Sequence, residues 1–231
     1  MTPVAPSATA PTTSPDQDLD RDNGREVFRA AYENRYTWEH FPGYRAAVKL
    51  TQGDETFSGQ VEIASDFSVK VTGIDQSDVI KTLEYQLRDI VTHRQRNAFD
   101  VVHGENRFRL GETDATGAIE ILVTGKSMGS AYKVRGREIC HVQRNVGPMR
   151  FIINTLATLD TGSGYLPAVT EAQFFNGQTG DLTKEVRYED RYDQVGDLFL
   201  MSGQTIVALE GDRETKTTLT FTNLQVLSTE P

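Results

Sequence analysis

The chain has 231 residues, one cysteine and a formal net charge of -9. Cys140 alone cannot form an intramolecular disulfide, and nothing marks an oxidising compartment, so a cytoplasmic setting is the expectation. No stretch approaches the roughly 18 to 20 apolar residues of a membrane span, and a pI near 5.0 argues against a nucleic-acid partner.

The first twenty residues hold no basic residue and no apolar run, so neither a signal peptide nor a transit peptide is read there. Prolines among Ala, Ser and Thr make residues 1–22 a flexible tail, and residues 23–231 read as one β-rich domain. A first helix begins at Asn23, with Glu26 placed for a capping box. Phe28, Tyr32 and Tyr36 then recur at four-residue spacing as far as the break at Phe41-Pro42-Gly43.

From Tyr44 the period becomes two. Tyr44, Ala46, Val48 and Leu50 form one alternating run; Phe57, Gly59, Val61 and Ile63 form a second, and Phe67, Val69 and Val71 a third. Val79, Leu83, Leu87 and Ile90 mark a second helix from Asp75 or Ser77 to about His93. Strands are predicted again at 99–102, 107–110, 118–124, 131–135, 138–146, 150–159, 168–175, 183–192, 198–208 and 215–227. Turn clusters such as Asn176-Gly177-Gln178-Thr179-Gly180 separate most of them. The fold class is mainly β: a curved antiparallel sheet or unclosed β-barrel, with two helices in the N-terminal half covering its concave face.

No motif supplies chemistry. Cys140 and His141 are adjacent on a strand and point to opposite faces, so they form no nucleophile and base pair. Gly125-Lys126-Ser127 resembles the end of a phosphate-binding loop, but Glu120 stands where the first glycine belongs and no helix follows. His103-Gly104-Glu105 reads as a surface turn. No catalytic residue, cofactor or metal ligand is assigned. Half of the basic side chains, 12 of 24, lie in residues 81–150 against 8 acidic ones, a possible face for an anionic partner or a membrane surface.

The segment Tyr165-Leu166-Pro167-Ala168, the turn 176–180 and the run from Lys184 to Leu200 resemble the terminal hairpins of the lipoprotein-carrier fold. That resemblance implies an unclosed antiparallel barrel that holds acyl chains against its concave face. The segments Asn34-Arg35-Tyr36-Thr37-Trp38, Phe41-Pro42-Gly43-Tyr44 and Tyr188-Glu189-Asp190-Arg191-Tyr192 resemble an uncharacterised family of oxygenic phototrophs. It implies a setting in a photosynthetic cell and brings no catalytic residue.

Three readings follow. The first is a non-catalytic protein that holds an apolar or amphipathic small molecule, a lipid or pigment, between sheet and helices, with Phe28, Tyr32, Tyr36, Trp38, Leu83 and Leu87 nearest the ligand. The second is a scaffold or assembly factor that meets an acidic protein through Arg94, Arg96, Arg107 and Arg109. The third is a lyase-like enzyme on a related barrel.

Overall fold

The computed structural model describes residues 23–228; the tail expectation for 1–22 lies outside them. Helix α1 (Gly24–Glu33) precedes a hairpin pair of strands, β1 (Gly43–Gln52) and β2 (Glu55–Ala64), and the short β3 (Val69–Thr72). Helices α2 (Ser77–Thr92) and α3 (Phe99–His103) come next. Nine strands complete the chain: β4 (Asn106–Thr113), β5 (Ile119–Gly125), β6 (Ala131–Arg135), β7 (Glu138–Val146), β8 (Met149–Asp160), β9 (Tyr165–Asn176), β10 (Leu182–Val195), β11 (Leu198–Glu210) and β12 (Arg213–Val226).

All twelve strands form one antiparallel sheet in the order β3-β2-β1-β12-β11-β10-β9-β8-β7-β6-β5-β4. Hairpins join the neighbours, and the one long-range pairing sets the first strand beside the last, Leu50 opposite Leu219 and Tyr44 opposite Val226. The sheet is not closed. Its free edges, β3 and β4, are linked through the chain by α2 and α3.

Alternation puts the apolar residues on the concave face, while the outer face of β10 carries charge: Arg187 meets Glu171 at 2.7 Å and Glu189 at 3.0 Å. The helices cover the two ends of the concave face and build two separate cores. Leu83, Leu87 and Val91 of α2 pack on Val48, Leu50, Val61, Ile63, Leu219 and Phe221. Phe28 and Tyr32 of α1, with Phe99 of α3, pack on Phe108, Ile121, Tyr132 and Val134. Asp100 accepts from both Arg25 and Arg29 at 2.7 Å, which ties α3 to α1.

The structure corrects four local expectations. Helix α1 ends at Glu33, because Tyr36 and Trp38 run extended: Tyr36 N donates to Tyr165 O at 2.9 Å and Trp38 N to Arg94 O at 2.8 Å. Asn23 makes no side-chain cap. Residues 99–102 are helical, with Phe99 and His103 buried one turn apart and Val101 exposed. Phe67 precedes β3 in a left-handed turn, φ 65°, with its ring stacked 5.1 Å from Phe41.

Candidate functional site: the uncovered centre of the concave face

Between the two helix-covered ends lie strands β8 to β10, with β7 at the margin of the α1 layer. Their cross-strand register places Val142 opposite Ile153, Ile153 opposite Ala172, and Ala172 opposite Val186. Phe151 likewise stands opposite Phe174, and Thr170 opposite Tyr188. Directly opposed residues share a face, and Val142 pairs onward with Tyr132 in the second core, so this whole set lies on the concave side.

Ala172 and Val186 are buried, yet neither belongs to either core; Phe151, Ile153, Phe174 and Tyr188 are partly exposed and also lie outside both. The result is an apolar floor walled on one side by α2 and on the other by α1. Asp89 and Tyr85 of α2 are close enough to Tyr188 to raise its phenol pKa, secondary to burial, which sets that flank of the helix over β10.

The inner end of this groove is basic and aromatic. The Arg35 guanidinium lies 3.8 Å from the Tyr32 ring centroid, with Nε donating to Tyr32 O at 2.9 Å. Arg144, on the concave side of β7, donates to Tyr132 Oη at 2.8 Å and sits 5.7 Å from that ring. Arg94 donates to Tyr192 Oη at 3.0 Å and also lies 5.7 Å from that ring. His93, at the end of α2, is 67% exposed in its side chain, with Asp89 at 3.7 Å. Its pKa is lowered, first by the reduced solvation around the ring and then by the positive charges of Arg94, Arg35 and Arg144, although Asp89 opposes them and the exposure of the side chain limits the first effect.

At the base of β10 a polar network closes the end. Tyr192 Oη lies 3.1 Å from Pro167 O and 3.2 Å from Asp190 Oδ2, while Asp190 Oδ1 accepts from Gln204 Nε2 at 2.9 Å. Burial raises the Asp190 carboxyl, and its Gln204, Tyr192 and Arg94 partners work against that. Two open depressions of about 370 and 320 Å³ lie at the ends of the strands. One is lined by Asn34, Glu138, Asp160 and Gly164, the other by Asn145, Met149, Arg150 and Asn176.

The six apolar residues singled out from sequence are all buried but do not meet at one place. Phe28 and Tyr32 sit in the α1 core; Tyr36, Trp38, Leu83 and Leu87 sit in the α2 core. They back the walls of the groove, and the floor residues facing its space were not singled out. In β8 and β9 both parities are apolar, Ile152 beside Ile153 and Phe174 beside Phe175, so alternation cannot choose the inner face there.

The four arginines also part. Arg94 is buried in the polar network, Arg96 pairs with Glu39, and Arg107 and Arg109 are exposed on the edge strand β4. His103 is buried, against the reading of 103–105 as a surface turn. Asn106 Nδ2 approaches His103 Nδ1 at 3.2 Å; because Asn106 Oδ1 accepts from Ser127 N at 2.8 Å, the amide orientation is fixed and the imidazole nitrogen is the acceptor. Cys140 and His141 diverge as expected, Sγ toward Lys133 O and Nδ1 toward Asn154 Oδ1. Among the described residues no three His, Cys, Asp or Glu side chains converge as a metal site, and no helix is long and apolar enough to cross a membrane.

A family model described as "Protein of unknown function (DUF3386)" matches residues 19–227. The chain belongs to that family. No curated protein matches the sequence. Among solved structures, a domain assigned as an outer membrane lipoprotein-sorting protein from Vibrio parahaemolyticus is similar at 11% identity and a TM-score of 0.40, over 90% of this chain and 94% of that one. A LolA-superfamily protein from Nitrosomonas europaea is similar at 10% identity and a TM-score of 0.35, with the same two coverages, 90% and 94%.

Proposed function

We propose that this member of the family is a non-catalytic binding protein that holds an apolar or amphipathic small molecule, such as a lipid or pigment, on the floor of the central groove. The observation that carries the reading is that Phe151, Ile153, Phe174 and Tyr188 form a partly exposed inner strip that belongs to neither helix-covered core. Apolar surface left open to water costs about 25 cal/mol per Å² relative to burial, so an occupant of matching polarity gains what the helices leave unused. The setting that goes with this reading is the cytoplasm of a photosynthetic cell, as the segments Asn34–Trp38 and Tyr188–Tyr192 suggest.

Native mass spectrometry of protein purified from its own cells, compared with the denatured mass and an absorbance scan, tests it. A stoichiometric extra mass that vanishes on denaturation supports a carried ligand and identifies it by weight; a bare mass at full occupancy of the fold counts against it.

A second reading is favoured by β4. This strand is a free edge and presents Arg107 and Arg109 outward, a surface suited to an acidic protein partner in an assembly role. Arg107→Glu with Arg109→Glu should then abolish co-purification of such a partner while the fold survives; unchanged co-purification rules that surface out.

A further inference from the structure

The inner end of the groove differs chemically from its floor. In a chain of net charge -9, three guanidinium groups, Arg35, Arg94 and Arg144, gather where the floor meets the wall, and each is held on a tyrosine. Among the described residues none has a carboxylate within salt-bridge distance, whereas Arg25, Arg29, Arg96 and Arg187 all do.

The rings that hold Arg35 and Arg144 belong to one aromatic cluster. Phe28 lies 6.5 Å from Tyr32 and 4.6 Å from Tyr132, so the two guanidiniums cap the same core where it borders the groove. Arg94 is placed from the other side. The extended segment of Arg35 to Trp38 runs beside the residues that follow α2, with Trp38 bridged to Gln95 in parallel. The acidic groups near it are Asp89, exposed on α2 beside His93, Asp190, which is engaged by Gln204 and Tyr192, and Glu138, which accepts from Thr158 Oγ1 and acts with Arg35 on the Tyr165 phenol. None of the three forms a salt bridge with Arg35 or Arg144.

We propose that the ligand of the groove is an amphiphile with an anionic head, a carboxylate or phosphate, whose tail lies on the Phe151, Ile153, Phe174 and Tyr188 floor and whose head is received by Arg35 and Arg144. This rests on the groove reading above and adds the chemical class of the ligand. Arg35 offers both Nη groups, which make no hydrogen bond among the described residues, and Arg144 offers Nη1. A planar guanidinium held flat on a ring keeps its outer donors aimed in one direction and meets an oxyanion with little loss of side-chain freedom.

The test uses the full chain and three ten-carbon probes of equal tail, decanoate, decanol and decyltrimethylammonium, each displacing a neutral apolar dye below its micellar concentration. Decanoate should bind about tenfold more tightly than decanol, and the ammonium more weakly than either. Arg35→Met with Arg144→Met keeps the apolar stems and should bring decanoate down to decanol. Arg144 is exposed apart from its bond to Tyr132 Oη, so the single change Arg144→Glu reverses the charge at the cost of that bond, and it should weaken decanoate several-fold more than it weakens decanol.

Equal affinities for decanoate and decanol in the native protein overturn the head-group proposal and leave the groove standing. A decanoate preference that survives both variants overturns the assignment to Arg35 and Arg144. No displacement by any of the three overturns the groove reading as well.

Discussion

The decisive structural question is whether the centre of the concave face is surface or core, and one substitution made at two places answers it. Ile63 in β2 and Ile153 in β8 are both strand isoleucines on the inner face. Ile63 is 0% exposed under α2, whereas Ile153 is partly exposed on the uncovered floor. Ile→Thr keeps the β-branch and the strand preference and exchanges apolar surface for a hydroxyl. At Ile63 the change loses about 1 kcal/mol of transfer energy and leaves a hydroxyl in a dry core, a further cost of about 1 to 3 kcal/mol. At Ile153 the hydroxyl reaches water, so only the first loss applies, about 1 kcal/mol. In a domain of this size each kcal/mol moves Tm by roughly 2 to 4 °C. Ile63→Thr should therefore melt about 4 to 16 °C below the parent, and Ile153→Thr about 2 to 4 °C below. Circular dichroism melts of the ligand-free proteins measure both. An equal fall at the two positions would refute the reasoning, because it would mean that Ile153 is covered as well as Ile63 and that no open floor exists. In a dye-binding assay run well below either transition the order should reverse, with Ile153→Thr weakened and Ile63→Thr close to the parent.

Other outcomes follow from the same geometry. His103 is buried, and its pKa is depressed to about 4, by burial first and then by the charges of Arg144, Arg35 and Arg25. The unfolded chain takes up that proton near pH 6.5 and the folded chain only near 4, so the stability from this site is complete above pH 6.5 and is lost as pH falls through that window. His103→Gln should flatten the stability profile between pH 6.5 and 4 by up to about 3 kcal/mol, read from urea midpoints. Tyr192→Phe removes the acceptor of Arg94 Nη2 and a partner of Asp190 Oδ2, and should cost about 1 to 3 kcal/mol by the same melts; a neutral result would show the network to be dispensable. Burial raises the pKa of the half-buried Cys140 thiol, so it should react with a disulfide reagent at pH 7.5 markedly more slowly in the folded than in the urea-unfolded chain.

The sequence makes most strands plain because their inner faces are apolar and most of the turns between them carry a glycine or asparagine, the β2–β3 turn at Phe67 being an exception. It hides the places where distant parts meet. Nothing local says that β1 pairs with β12, or that Tyr36 leaves the helix: the helical spacing of Phe28, Tyr32 and Tyr36 is real, but the backbone bonds from Tyr36 to Tyr165 and from Trp38 to Arg94 replace a further turn. In Phe99-Asp100-Val101-Val102-His103 the β-branched pair reads as strand. The stronger signal is the four-residue spacing of Phe99 and His103, the two residues of that segment that α1 buries. The groove escaped for a related reason. A pocket sought among the most apolar residues leads to Leu83 and Trp38, which are buried because they already have partners. The open floor is built from residues of mixed strands, and the basic end from arginines that are 50 to 109 positions apart, Arg35 with Arg94 and Arg144.

Why the floor is open follows from widths. Twelve strands at about 4.8 Å spacing make a curved surface roughly 50 Å across, and one helix with its side chains covers about 10 to 12 Å. Helix α2 shields the β1, β2, β3, β11 and β12 end, and α1 with α3 shields the β4 to β7 end, which leaves β8, β9 and β10, three strands or roughly 10 to 15 Å, without a layer above them. An antiparallel sheet tolerates one wet face when that face is polar, and the outer face of β10 meets that condition with Arg187, Glu171 and Glu189. The inner face at Ile153 and Phe174 does not. A chain that can place Lys, Glu and Arg outward on these same strands could have placed them inward too, so the retained apolar strip, with Arg35 and Arg144 at its end, is what the proposed amphiphile would need.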